Sequence, residues 1–347
     1  MIDFGKMCKG CNRMKFPSSS QTVKSSKFAV RNKVSPTSAR GNNGADSGFP
    51  VPGFFTPRMD GQVVEGSFKA TGKTVVITGG SQGIGRAAAL LFAKKGFNVV
   101  VAARDLTKLQ YVAHDCAQAA GRQGASMAVK CDVTNEREVK DLATAVLSKY
   151  ENVDVVINNA GIMTRGRFED TPVLEAKKLL EVNYLGSYMV TQTFLPIMIK
   201  ENQRKKSADK PSIIMVGSFA SKVPLKYMSA FTASKYALAG FTDAIRAEVA
   251  PLGVHVGQVH PGLVKSNFME RAEFYGKDSV EERKSFRQLV RSLPFSQTPQ
   301  EVADAIYNAY MTKSDQVLVG LPFAAADTAF WLTRTNISAL PLINQFF

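Results

Sequence analysis

Lys73-Thr74-Val75-Val76-Ile77-Thr78-Gly79-Gly80-Ser81-Gln82-Gly83-Ile84-Gly85 is the stretch whose reading decides the fold. Its first half is a β-branched apolar run, suited to a strand buried on both faces. The glycine-rich second half turns the chain, and 86–95 reads as a helix stopped by Gly96. Gly79, Gly83 and Gly85 let backbone approach a pyrophosphate and let the helix pack on the strand, while the helix N-terminus favours an anion. The spacing is GxxxGxG, which in isolation is weak evidence and has a plain structural turn as its alternative. Thr78, Ser81, Gln82 and Ile84 complete the candidate cofactor turn.

Outward from this unit the pattern repeats. Strands are expected at 98–103, 126–131, 153–157, 212–216 and 254–259, and helices at 106–120, 136–150, 173–182, 187–200 and 229–249. Later come a helical face at 279–289, a helix opened by Thr298-Pro299-Gln300-Glu301, and an edge strand at 316–319. Alternating strands and helices with short joints give an α/β fold, a doubly wound parallel sheet in a single domain, with ligands expected at the carboxyl ends of the strands. The second strand ends in Arg104, where an acid would hold a ribose 2′-hydroxyl. Arginine there suits a 2′-phosphate, so NADP(H) is favoured over NAD(H).

The chain has 347 residues, 45% of them hydrophobic and 21% charged, enough for a sizeable core. No apolar run reaches the roughly 18 to 20 residues of a membrane-spanning helix, so a transmembrane segment is not expected. Four cysteines and three histidines leave little for a disulfide framework or metal chemistry, and no metal site is expected. The Cys8-Cys11 pair is spaced for redox or zinc chemistry, but no second pair follows. Residues 1–50 carry nine basic residues against Asp3 and Asp46, and so hold seven of the fifteen surplus positive charges. With eight serines and no apolar signal core, this segment reads as a disordered basic leader of the organelle transit type, plastid first and mitochondrial second. Residues 51–71 read as a linker. The remaining surplus is diffuse and no RNA- or DNA-binding pattern appears, so nucleic acid is not an expected partner.

From 72 to 320 the chain resembles the short-chain dehydrogenase/reductase family, in its branch of roughly 250 residues. The resemblance rests on Thr78 to Gly85, Cys131-Asp132-Val133, Asn158-Asn159-Ala160-Gly161, Asn183 in Glu181-Val182-Asn183-Tyr184, Gly217-Ser218, Phe231-Thr232-Ala233-Ser234-Lys235 and His260-Pro261-Gly262-Leu263-Val264. It implies a Rossmann-like subunit that often forms oligomers, and nicotinamide-dependent carbonyl, alcohol or double-bond chemistry. It further implies that Asp132 and Val133 lie at the adenine end. Asn159, Ala160, Gly161, Lys235, Pro261, Gly262 and Val264 would complete the cofactor contacts. Ser218 would bond the reacting oxygen, and Asn183 would hold a water in a proton relay. Each also has a structural reading: Ser218 as a strand end, Lys235 as a solvated lysine, Asn183 as a backbone stitch.

One position departs from the family's Tyr-x-x-x-Lys segment. Phe231 stands where the tyrosine belongs and cannot exchange a proton; loss of a positioned general acid costs on the order of 10²- to 10⁴-fold. Three readings follow: an oxidoreductase with a substitute acid, a cofactor-binding pseudoenzyme with a sensing or assembly role, or a function outside both classes. Tyr227 is a candidate substitute, provided the helix already runs there so that i and i+4 share a face; Lys235 through a water is another. The 265–293 region mixes charge and aromatics as a substrate cover would, and 202–210 reads as a solvated polar loop. The 321–347 tail holds only Asp327 and Arg334 as charged side chains among many large apolar ones. That tail is expected to pack on its own domain or a sister subunit, with a membrane surface or a hetero-complex as the alternative.

Overall fold

The computed structural model describes residues 72–205 and 209–320, and beyond them Ala324, Asp327 and Thr328. The leader, the linker and almost all of the apolar tail therefore lie outside the described residues, as does the middle of the polar loop.

Nine strands and eight helices follow one another along the described chain, in the order β1 (Thr74–Thr78), α1 (Gly83–Lys94), β2 (Asn98–Ala103), α2 (Leu106–Ala120), β3 (Ser126–Lys130) and α3 (Glu136–Lys149). The next are β4 (Val155–Asn158), β5 (Thr164–Arg165), α4 (Val173–Leu180), α5 (Gly186–Lys205), β6 (Ser212–Val216) and α6 (Ser229–Val249). The series closes with β7 (His255–Pro261), β8 (Glu273–Phe274), α7 (Ser279–Ser292), α8 (Pro299–Thr312) and β9 (Gln316–Val319). Seven strands form one parallel sheet in the order β3-β2-β1-β4-β6-β7-β9. The chain winds outward from β1 to β3, returns to β4 beside β1, and winds out the other way. The crevice between the ends of β1 and β4 is thus the switch point.

Strand residues alternate between two cores. Val75, Ile77, Val99, Val101, Val155 and Ile157 face the layer of α1, α2 and α8, where Phe92, Leu109 and Ile306 are fully buried. Val76, Val100, Val156, Ile213 and Met215 face the other layer, with Val139 and Leu142 of α3, Phe194 and Met198 of α5 and Leu238 of α6. Both faces of the sheet are covered, which is why its strands read as continuous apolar runs.

Two features differ from the sequence expectations. The expected helices at 173–182 and 187–200 are one run, joined by a π turn at Glu181–Leu185 and continuing to Lys205, so 202–205 is helix where a loop was expected. A π turn lets the helix continue past its wide ring, and such turns occur often at functional sites. A short second sheet, β5 paired in parallel with β8, was not anticipated, because two-residue strands carry no period to read. It binds the 265–293 segment to the body, with the third apolar cluster beneath it. Among the described residues no helix is long and apolar enough to cross a membrane.

The glycines of α1 and α6 behave oppositely. A Cβ on Gly85 would lie 2.4 Å from the Gly79 carbonyl oxygen and 2.6 Å from Asn159 Nδ2, whereas Gly240, exposed in the middle of α6, has open space around it. Gly85→Ala should therefore cost about 1–3 kcal/mol or more, and Gly240→Ala should stabilise by about 0.5–1 kcal/mol, both read by denaturant unfolding.

Candidate active site

The turns that follow β1 and β4 are tied together by the Thr78 side chain. Its buried Oγ1 accepts from the backbone N–H of Asn159 (3.1 Å) and of Ala160 (3.1 Å) and donates to the Ile157 carbonyl (3.4 Å). Asn159 answers with Nδ2 donated to the carbonyls of Thr78 (2.9 Å) and Gly79 (3.1 Å). Gly79 sits at φ 64 and Gly83 at φ 56, left-handed values that favour glycine. A Cβ at Gly79 would come within 2.9 Å of the Ala160 Cα. Helix α1 opens from this turn with neither a side-chain cap nor an acid in its first turn, so its positive end is uncompensated.

A cavity of about 500 Å³ runs from this turn along the carboxyl ends of the strands. At one end it is lined by Ser81, Gln82, Gly83, Arg104, Asp132 and Val133; in the middle by Asn159, Ala160, Gly161 and Pro261 to Val264; at the other end by Ser218, Phe231 and Lys235. The structure thus brings together nearly every residue singled out from the sequence. Thr78, Gly85, Asn183 and Tyr227 stand outside the lining: the first two shape the turn, Asn183 takes the stitching role that was its structural reading, and Tyr227 lacks the helical placement its sequence reading required. Asp132 takes part in its own turn, Oδ1 accepting from the Thr134 N–H (3.0 Å) and hydroxyl (2.8 Å).

Asn183 lies in the π turn, fully buried behind the cavity wall. Its Oδ1 accepts from Ile162 N–H (2.9 Å), while Nδ2 donates to the Ile162 carbonyl (3.0 Å) and to Ser234 Oγ (2.9 Å). Ser234 Oγ in turn donates to the Phe231 carbonyl (2.7 Å). The side chain is a stitch between the loop after β4 and helix α6, holding the residue next to Lys235. Lys235 Nζ donates to the Val216 carbonyl at the end of β6 (3.2 Å). Burial pulls its ammonium down to about 8, since the charged form loses hydration there.

Ser218 Oγ accepts from the Ala220 N–H (3.1 Å), capping a short turn at Phe219–Ser221, which leaves its proton free to donate into the cavity. The Ser218 carbonyl meets His260 Nδ1 at 3.2 Å. Desolvation drives His260 down to about 3, so it is neutral, and facing a carbonyl it must carry its proton on Nδ1. Sequence reading missed this support, since His260 appeared only as the start of a motif.

Phe231 is 4% exposed and belongs to the apolar cluster of Met163, Phe219, Met228, Leu263, Met269 and Phe286, with Lys235 Nζ 6.0 Å from its ring centre. Among the described residues lining the cavity there is no tyrosine and no histidine. Helix α6 begins at Ser229, so Tyr227 precedes it in a left-handed conformation at φ 61 and the one-turn relation to Phe231 is not formed. Its carbonyl accepts from Gly166 N–H (2.8 Å), and its ring lies beside the Arg165 guanidinium, 5.4 Å from the centroid. The premise that made Tyr227 a substitute acid is therefore corrected by the turn at Lys226 and Tyr227. Leu225 and Met228 were missed, because nothing local marks them as cavity residues, whereas Phe268 and Arg271 fall in the 265–293 stretch expected to form a cover.

The family model described as short chain dehydrogenase matches residues 73–274. A curated relative, dehydrogenase/reductase SDR family member 7B of Danio rerio, is 32% identical over 253 residues, 72% of this chain and 78% of that one. Among solved structures, a short chain dehydrogenase/reductase from Burkholderia phymatum in complex with NAD superposes with a TM-score of 0.68 at 24% identity, over 78% of this chain and 97% of that one. An alcohol dehydrogenase from the archaeon Thermococcus sibiricus, complexed with 5-hydroxy-NADP, gives 0.59 at 24%, over 72% and 96%.

If the Thr78 hydroxyl holds the two turns in register, Thr78→Val should destabilise the protein by about 1–3 kcal/mol by stranding two N–H donors, while Thr78→Ser should keep most of the stability. Urea unfolding of the two variants measures the difference, and equal midpoints would contradict that role.

Proposed function

This chain belongs to the short-chain dehydrogenase/reductase family, and from that premise we propose that it is an NADP(H)-dependent oxidoreductase acting on an apolar carbonyl or hydroxyl compound, with Lys235 supplying the proton. The observation that carries the reading is the single cavity joining the uncompensated start of α1, Arg104, and the pair Ser218 and Lys235. Its residues fit a dinucleotide: a glycine-lined anion cradle at one end and, at Gly161, a close approach where a Cβ would meet Asn183 Oδ1 at 3.1 Å and Lys235 Nζ at 3.6 Å. Ser81 to Ile84 would hold the pyrophosphate, Arg104 a 2′-phosphate, Asp132 and Val133 the adenine end, Asn159 to Gly161 with Lys235 a ribose, and Pro261 to Val264 the nicotinamide end. The bound cofactor supplies or takes a hydride.

The protein's part is to place and protonate the reacting oxygen. The Ser218 hydroxyl donates toward it, while the Ala220 N–H and His260 fix the backbone around Ser218. Lys235 is the ammonium lining this end of the cavity, and its lowered pKa puts it near working pH, where an acid both holds and releases its proton. Below about pH 8 the lysine is charged and can donate; above it the neutral amine can accept, which favours the oxidation direction. The methionine- and phenylalanine-rich wall around Phe231 offers apolar contact and no charge, so it suits a hydrophobic substrate.

A second reading, a cofactor-binding protein without turnover, is favoured by one observation: Phe231 is closed into that apolar cluster, with no phenol lining the cavity beside it. Both readings require binding, so millimolar NADPH should raise the thermal midpoint of the full chain, and no shift would sink both. To separate them, NADPH oxidation over a panel of apolar ketones should be slow but measurable in the native protein, fall as pH rises through about 8, and vanish in Lys235→Met. Phe231→Tyr should raise the rate by about 10²- to 10⁴-fold. Activity seen only in Phe231→Tyr would favour the silent protein.

A further inference from the structure

Arg104 and Arg271 line the same end of the cavity, although 166 positions of chain separate them. Arg104 directly follows β2, whereas Arg271 comes from the segment that covers the substrate end, just before β8. That segment runs past the glycine turn: Ser266 Cβ would lie 3.7 Å from a Cβ built on Gly83. With the Gln82 amide turned to present its oxygen, that oxygen lies against the Arg271 guanidinium, 2.6 Å from Nε, 2.7 Å from Nη2 and 2.9 Å from Nη1. Arg271 is thereby held over the second residue of the anion cradle. Its guanidinium is partly withdrawn from water and stands close enough to Arg104 to feel its charge, and both effects push its pKa down.

The nearby acids are already engaged. Asp105 caps α2 through the Lys108 N–H (3.1 Å) and pairs with Lys108 Nζ (2.9 Å), and the Asp132 oxygen that faces its own turn accepts from Thr134. Among the described residues no ion pair joins Arg104 or Arg271 to a carboxylate. Two like charges converging on one cavity end without a counter-charge are repulsive unless an anion completes the group. Guanidinium is also the side chain best shaped for bidentate contact with phosphate.

We propose that Arg271 is a second ligand of the 2′-phosphate of NADP(H), shared with Arg104, so that the segment covering the substrate helps to choose the cofactor. This rests on the dinucleotide reading above. The consequence is a coupling: the phosphate at the adenosine ribose bridges the body of the sheet to the cover of the substrate end, and NADP(H) tightens that cover where NAD(H) does not. Gln82 is the resting partner that the phosphate displaces or joins.

The test is equilibrium binding of NADPH and NADH, by cofactor fluorescence and calorimetry, to the full-length native protein, Arg271→Gln, Arg271→Lys and Arg104→Gln. Losing one charge-assisted contact should weaken NADPH by about tenfold or more in Arg271→Gln and NADH by less than about twofold, with Arg271→Lys between native and Gln. Protection of the 265–275 backbone from hydrogen exchange should rise with NADPH more than with NADH, and the excess should disappear in Arg271→Gln. Unchanged NADPH affinity in Arg271→Gln would overturn the proposal, and so would equal losses for NADPH and NADH, which would place Arg271 on the pyrophosphate or in the fold alone. Native protein that binds neither nucleotide would instead overturn the dinucleotide reading, and this inference with it.

Discussion

The constraint on which the site depends is the near-contact of two turns, one after β1 and one after β4. No side chain beyond those of Thr78 and Asn159 can stand between them: at Gly79 and Gly85 an added methyl group would meet backbone or Asn159 at less than 3 Å. The Thr78 hydroxyl and the Asn159 amide fill the remaining hydrogen-bonding needs of the pair, so the turns approach without stranding buried donors or acceptors. Because β1 and β4 are neighbours at the switch point, this closeness opens the crevice on either side of it. Everything that lines the cavity is positioned from there.

Desolvation sets the chemistry at the two ends in different ways. At one end a single lysine of helix α6 is buried against a carbonyl, and its ammonium is pulled down to about 8. At the cradle end two arginines remain charged and raise the local potential instead. A guanidinium cannot relieve the repulsion by giving up its proton, so the electrostatic cost persists until an anion arrives. One cavity thus carries a titratable cation at one end and fixed cations at the other.

Phe231 alters the balance between these ends without altering the frame. The ring keeps its place on α6, four positions before Lys235, and its packing against Met228 and Phe286 preserves the wall. Phenylalanine carries no hydroxyl, so among the described residues lining the cavity no phenol stands beside the lysine. Tyr227 does not supply one, because the chain reaches it in a left-handed turn that carries the ring toward Arg165. Asn183 likewise spends its side chain on Ile162 and Ser234, which makes it a clamp for the helix bearing Lys235.

Local pattern was enough for much of this. The β-branched runs, the helix periods, the glycines of the first turn and the capping box at Thr298 are features of neighbouring residues, and their sterics act within a few positions; the main strands and helices were legible for that reason. So was the spacing that sets Phe231 four positions before Lys235, which needs only one helix. The short β5 and β8 strands, the fusion of two helices through a π turn, the withdrawal of Tyr227 and Asn183 from the cavity, the neutral His260 behind Ser218, and the meeting of Arg271 with Gln82 were settled only in three dimensions. Each depends on which surfaces lie against one another and how much water they exclude, and neither proximity across many residues nor the loss of hydration is written in any short stretch of chain.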